Sequence, residues 1–298
     1  MKPLLARSLA LSLIVAALWA GGGFFVQPVR AEQPGREINR GMKALQEQRW
    51  SDAVTDMDTV LKADNDQSDL NRATALWIRA TAFHGLKSYA LAFDDISAAI
   101  GLLSDNPAFR ELRIRIALRL KNADAVLEDI AKLEKEGGGF KSATLSDAVI
   151  YIFRAQAFAL KKQYADAEES LDRAIRLIPG QPVFLYSKAW LLATAEDKAF
   201  RRPGEAIDLA RKAAEVRDSA AVQNALAAAY VAAGRADEAF AAYQRAIEMG
   251  GRDRLQRYQS YLAEHGFDIG DEAGRFGPKT KFAIAECVAA GCQLLAGE

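Results

Sequence analysis

One small residue recurs along this chain at nearly regular intervals, always ahead of an apolar helical pattern: Ala53, Ala92, Ala125, Ala167, Ala206 and Ala239. About a dozen residues before most of them stands a second small or apolar residue. These are Gly41, Ala80, Ala155, Ala189 and Ala227, with Ile116 in a weaker copy. Tyr151 to Pro179 is the clearest unit, with Ala155, Phe158, Tyr164, Ala167, Leu171, Ala174 and Pro179 as its key positions. Asn224 to Ile247 is the next. Each unit reads as two amphipathic helices joined by a turn, and neither helix can bury its apolar stripe alone. Small residues let the paired helices approach, and Phe158, Tyr164 and Tyr230 fill the gap to the next pair. Stacking such units builds one continuous core.

These residues resemble the tetratricopeptide repeat family from Ile38 to Gly251. That family's period is about 34 residues, so the extra length belongs in loops such as Gly137-Gly138-Gly139 and the stretch from Glu196 to Arg202. The resemblance implies an all-α, right-handed superhelical solenoid of about six repeats, one degenerate, over residues 32–252. It implies a groove, lined by the first helices, that holds a peptide or a protein partner. Asn39, Gln156 and Asn224 are the candidate partner-binding residues on those helices. Trp50, Trp77 and Trp190 fall at apolar helical positions and are expected in the core.

The first 31 residues read as a secretory signal. Lys2 and Arg7 precede the short apolar run Leu9 to Ala20, three glycines follow, and Val29-Arg30-Ala31 places a cut before Glu32. A membrane-spanning helix needs roughly 20 apolar residues, but the run can be extended through Phe24, Phe25 and Val26, which leaves an N-terminal anchor as the alternative. The expected location is the periplasm or the exterior of a bacterium, with no membrane contact once the signal is removed. Export also bears on Cys287 and Cys292, the only two cysteines. An oxidising compartment favours a bond between them, and Gly291 breaks the helix between them.

Residues 253–298 change pattern. An amphipathic helix with Leu255, Tyr258, Tyr261 and Leu262 precedes a glycine-containing loop, and Gly277-Pro278 opens another helix. Leu255-Gln256, Gly266-Phe267 and Gly274-Arg275-Phe276-Gly277-Pro278-Lys279-Thr280 resemble the first part of a small helical peptidoglycan-binding domain. Ala273 stands where that family has an acidic residue, although Asp271 and Glu272 are adjacent, and the chain ends where its third helix would lie. The resemblance implies wall contact through Phe267, Gly274, Phe276 and Thr280. The other reading of the tail is a polar cap on the last repeat.

No catalytic motif emerges. The glycine run at 137–139 has no Lys-Ser/Thr partner, no Gly-x-Ser-x-Gly occurs, and the two histidines are far apart. The formal net charge is zero, which argues against a nucleic-acid binder. The expectation is a non-enzymatic, cofactor-free periplasmic scaffold for an envelope protein, with peptidoglycan as a further ligand of the tail. The alternative is an accessory or regulatory subunit of a wall-acting enzyme system.

Overall fold

The computed structural model describes residues 34–63, 68–137 and 147–294. The proposed signal and its cleavage site lie outside the described residues. Every regular element among the described residues is a helix. In chain order these are α1 (Pro34–Gln46), α2 (Trp50–Lys62), α3 (Asp69–Gly85), α4 (Tyr89–Leu102), α5 (Pro107–Arg119), α6 (Ala123–Gly137) and α7 (Asp147–Leu160). They continue with α8 (Tyr164–Leu177), α9 (Pro182–Thr194), α10 (Pro203–Val216), α11 (Ala220–Ala232), α12 (Ala236–Glu264) and α13 (Pro278–Ala289). The starts are locally encoded. Ser68, Asn106 and Ser219 accept hydrogen bonds from first-turn backbone N–H groups, and proline opens α5, α9, α10 and α13.

Odd-numbered and even-numbered helices pair as first and second helices of six repeats. Five of the six turns between them share one device. Gln48, Lys87, Lys121, Lys162 and Gly234 each take a left-handed backbone angle two residues before the second helix begins. The following N–H reaches back to a carbonyl five residues earlier, as in Arg49 to Ala44, Ser88 to Phe83 and Gln163 to Phe158. This Schellman closure satisfies the last carbonyls of the first helix. The fifth repeat, with its longer connection from Ala195 to Arg202, does without it.

The shared turn fixes the register, and it corrects the sequence reading of the third repeat. In the other four turns of this type the fully buried alanine of the second helix lies five residues beyond the left-handed residue: Ala53, Ala92, Ala167 and Ala239. In repeat three that place belongs to Val126, which is buried, whereas Ala125 is half-exposed. Its partner is Ile114, not Ile116. Two β-branched side chains thus stand where other repeats set small residues, and α5 and α6 pack less extensively than α3 and α4.

A second periodic device is a ladder of ion pairs. Arg40, Arg79 and Arg113 each bond an aspartate on the second helix of their own repeat. Arg40 Nε donates to Asp56 at 2.9 Å, Arg79 is bidentate to Asp95 at 2.7 and 2.8 Å, and Arg113 is bidentate to Asp129 at 2.7 and 2.7 Å. In repeats four and five the corresponding cations Arg154 and Lys188 turn back to the preceding second helix. Arg154 takes Glu134, while Lys188 takes Asp172 at 2.6 Å and Glu168 at 3.1 Å. Burial pushes Lys188 towards its neutral form, but the two carboxylates prevail and hold its pKa above the usual value. Arg79 also reaches Asp58 of repeat one at 2.6 Å. Such half-buried, multiply bonded pairs fix neighbouring repeats in orientation.

Candidate functional site

Consecutive first helices touch one another along the whole stack, while consecutive second helices make no comparable contact. The first helices therefore form the inner face. Trp50, Trp77 and Trp190 are only partly exposed and pack against core clusters, as the sequence suggested. Gln156 on α7 is half-exposed, one residue after the buried Ala155. Asn39 is exposed on α1.

Asn224 is placed differently from the sequence expectation. It is 6% exposed, and its carboxamide oxygen accepts the Tyr258 hydroxyl at 2.8 Å. The two residues are 34 positions apart, one family period. Gly251, at φ +63, breaks α12 in two. The half beyond it buries Leu255, Tyr258 and Leu262 and stacks on α11 as a further first helix would.

The loop after α12 is organised by a side chain the sequence reading missed. Gln259 is buried, and its amide nitrogen donates to the carbonyls of Glu272 and Arg275 and to the Thr280 hydroxyl at 2.7, 3.0 and 2.9 Å. Its amide oxygen accepts the Gly274 N–H at 2.7 Å. Gly274 has φ +73. Glu272 caps α13 from outside the helix, accepting the N–H groups of Thr280 at 2.8 Å and Lys279 at 3.2 Å. The Thr280 N–H above all, and the helix N-terminus generally, holds that carboxyl below the usual carboxylate range. A Cβ on Gly277 would lie 2.3 Å from a Glu272 oxygen, so a larger residue there would have to displace the capping carboxylate. Of the four wall-contact candidates, Phe267 and Phe276 are partly exposed, with Lys281 Nζ 5.2 Å from the Phe276 ring centre. Thr280 is fully buried, its polar atoms spent on Gln259 and Glu272, so it cannot touch a ligand.

Cys287 and Cys292 occupy the two ends of another Schellman closure. Cys292 N–H donates to the Cys287 carbonyl at 2.9 Å around Gly291, at φ +76. That motif brings these two positions together. Their Cα atoms are 5.1 Å apart with the sulfurs in bonding contact, inside the span a disulfide accepts. Beyond them the chain returns to the repeats. Gln293 donates to the carbonyls of Ala193 on α9 and Ala228 on α11 at 3.0 and 3.2 Å, and Leu294 N–H donates to the Tyr243 hydroxyl at 2.9 Å. Buried Leu294 seals the last two repeats.

A cleft of about 380 Å³ opens between α6, α7 and α8. Ile130 and Phe158 line it, and the Tyr151 ring lies 5.1 and 6.0 Å from the guanidiniums of Arg154 and Arg173. Both cations are matched, to Glu134 and Glu169. Among the described residues, no group of three potential metal ligands converges, and no helix is long and apolar enough to cross a membrane.

A tetratricopeptide repeat family model matches residues 38–107, the first two repeats. Among solved structures, the chain is similar to a tetratricopeptide repeat protein from Parabacteroides merdae ATCC 43184. The identity is 15% and the TM-score 0.60, over 77% of this chain and 83% of that one. It is also similar to PilW, a widely conserved type IV pilus biogenesis factor, at 18% identity and a TM-score of 0.56 over 78% and 100% of the two chains. At such identities the likeness shows the fold alone. No curated protein matches in sequence. The likeness of the tail to a peptidoglycan-binding domain finds no support among these matches. Residues 38–107 carry tetratricopeptide repeats, and the described residues fold as an all-α tetratricopeptide-type solenoid.

Proposed function

We propose that this protein is a non-enzymatic periplasmic scaffold that holds a protein partner against the inner face of its first helices. The observation that carries the reading is the unbroken run of first-helix contacts, which presents one continuous face across the repeats. Gln156, half-exposed on α7 in the fourth of the six repeats, is the residue through which this reading is tested. The reading includes export with cleavage before Glu32 and a disulfide between Cys287 and Cys292. Intact mass measurement of exported protein tests both. The expected mass starts at Glu32 and is two hydrogens below the dithiol form, whereas a chain retaining Met1 or two free thiols removes that element.

Partner binding is tested by cross-linking the exported protein in envelope material. Gln156→Arg puts bulk and charge onto the inner face, and it should abolish the cross-link while leaving the helical circular dichroism unchanged. Phe276→Ala in the tail loop should not. The accessory-subunit alternative reverses the pattern: Phe276→Ala would lose sedimentation with cell-wall sacculi and Gln156→Arg would keep it. Deleting residues 253–298 is not a clean test, because Tyr258, Leu262 and Leu294 belong to the core of the last repeats.

A further inference from the structure

The turns between first and second helices form one edge of the stack, and their charges are almost everywhere neutralised. In repeat one Arg49 is bonded to Glu47 and Asp52. In repeat four Lys161 reaches Asp124 at 2.5 Å and Lys162 reaches Glu196 at 2.6 Å, so adjacent turns lie within side-chain reach. In repeat six Arg235 is held by Glu238. Repeats two and three differ. Lys87, Arg119 and Lys121 have no carboxylate partner among the described residues, and Asp124 is already taken by Lys161. No acidic residue occurs from His84 to Phe93 or from Leu112 to Ala123. These same turns carry bare leucines: Leu86 is 42% exposed, Leu91 52% and Leu120 39%.

We propose that this edge, built from Leu86, Lys87, Leu91, Arg119, Leu120 and Lys121, docks onto a membrane surface bearing anionic headgroups. The equivalence of the two turns, with left-handed residues Lys87 and Lys121 at matching places, sets them side by side. Cations interleaved with exposed leucines on loop tips suit an interface where headgroups take the charge and the acyl boundary takes the leucines. An acidic protein groove would account for the charge but not for leucines projecting from a turn edge. Behind the edge, burial first and then Arg119 and Arg115 depress the pKa of His84. This contact is independent of the inner face, and it departs from the expectation that the cleaved chain has no membrane contact.

Exported protein is sedimented with vesicles of phosphatidylcholine, alone or mixed with phosphatidylglycerol. Binding should appear with the anionic mixture and fall with added salt. Lys87→Gln combined with Lys121→Gln should lower partitioning roughly 25-fold, about fivefold per charge. Glutamine is chosen because Gln48 occupies the same backbone conformation in repeat one, so the fold is kept. Leu86→Ser with Leu120→Ser should weaken binding without changing its salt dependence. Equal binding of wild type and the Lys pair variant, or equal binding to neutral and anionic vesicles, overturns the proposal. So does bare vesicles with charge-dependent capture of polyglutamate, which would assign the edge to an acidic protein.

Discussion

Asp129→Ala should lower the unfolding free energy by about 3–5 kcal/mol, measured as a shift in urea midpoint. The carboxylate is fully buried on α6 and receives both Arg113 nitrogens as well as Arg110 Nη1 at 3.1 Å. Arg110 is itself buried, with Nη2 given to the Ser104 carbonyl at 3.0 Å. Alanine leaves two guanidiniums in the interior without this carboxylate, which costs far more than losing an exposed pair. Lys43→Ala, which breaks the exposed pair with Glu47, should change stability by only about 0–1 kcal/mol. The repeat affected is also the one with Ile114 and Val126 where others have small residues, so α5 and α6 depend heavily on the ion pair for their alignment. Replacing all three partners with apolar residues, Arg110→Met, Arg113→Leu and Asp129→Leu, should recover most of the loss. If that triple variant is as unstable as Asp129→Ala, the geometry of the pair matters rather than the buried charge.

The repeats were legible because small residues at close helix crossings have no substitute of similar size, and Ala53, Ala92, Ala167 and Ala239 mark them directly. Repeat three was misread by one residue because Ala125 offers an alanine beside Val126, which holds the place. The turn would have corrected this, but glycine is the sequence cue for a left-handed residue and only Gly234 among the five provides it. The ion ladder was missed because arginines and aspartates on amphipathic helices normally face solvent. Yet Arg40 and Asp56, Arg79 and Asp95, and Arg113 and Asp129 share one separation that could have been found. At the candidate sites, Asn224 and Thr280 are polar residues at helix or loop positions that read as outward. Their burial depends on Tyr258, Gln259 and Glu272; the glycine at Gly251 marks where the helix breaks, but which side chains the break brings together is a tertiary event with no local signature.

Replacing Gln48, Lys87, Lys121 and Lys162 together with glycine should raise stability by about 2–4 kcal/mol, a result opposite in sign to most multiple substitutions. Each residue now holds a φ between +55 and +61. For an L-residue that conformation costs about 1–2 kcal/mol, because the Cβ crowds the neighbouring carbonyl. Glycine removes the strain but gives back part of the gain, roughly 0.5–1 kcal/mol per site, through the extra freedom of its unfolded chain. The four turns lie in different repeats, so the increments should add. Lys162 should gain least, since its exposed ion pair with Glu196 is lost. Gly234→Lys runs the experiment backwards and should cost about 1 kcal/mol, since the turn at repeat six has the same closure. A solenoid can unfold in more than one step, so the measurement is hydrogen exchange of each repeat's amides alongside the denaturant midpoint. Slower exchange in repeats one to four, with repeat six unchanged, is the expected pattern. A quadruple variant no more stable than wild type would mean that neighbouring packing has already relieved the strain at these turns.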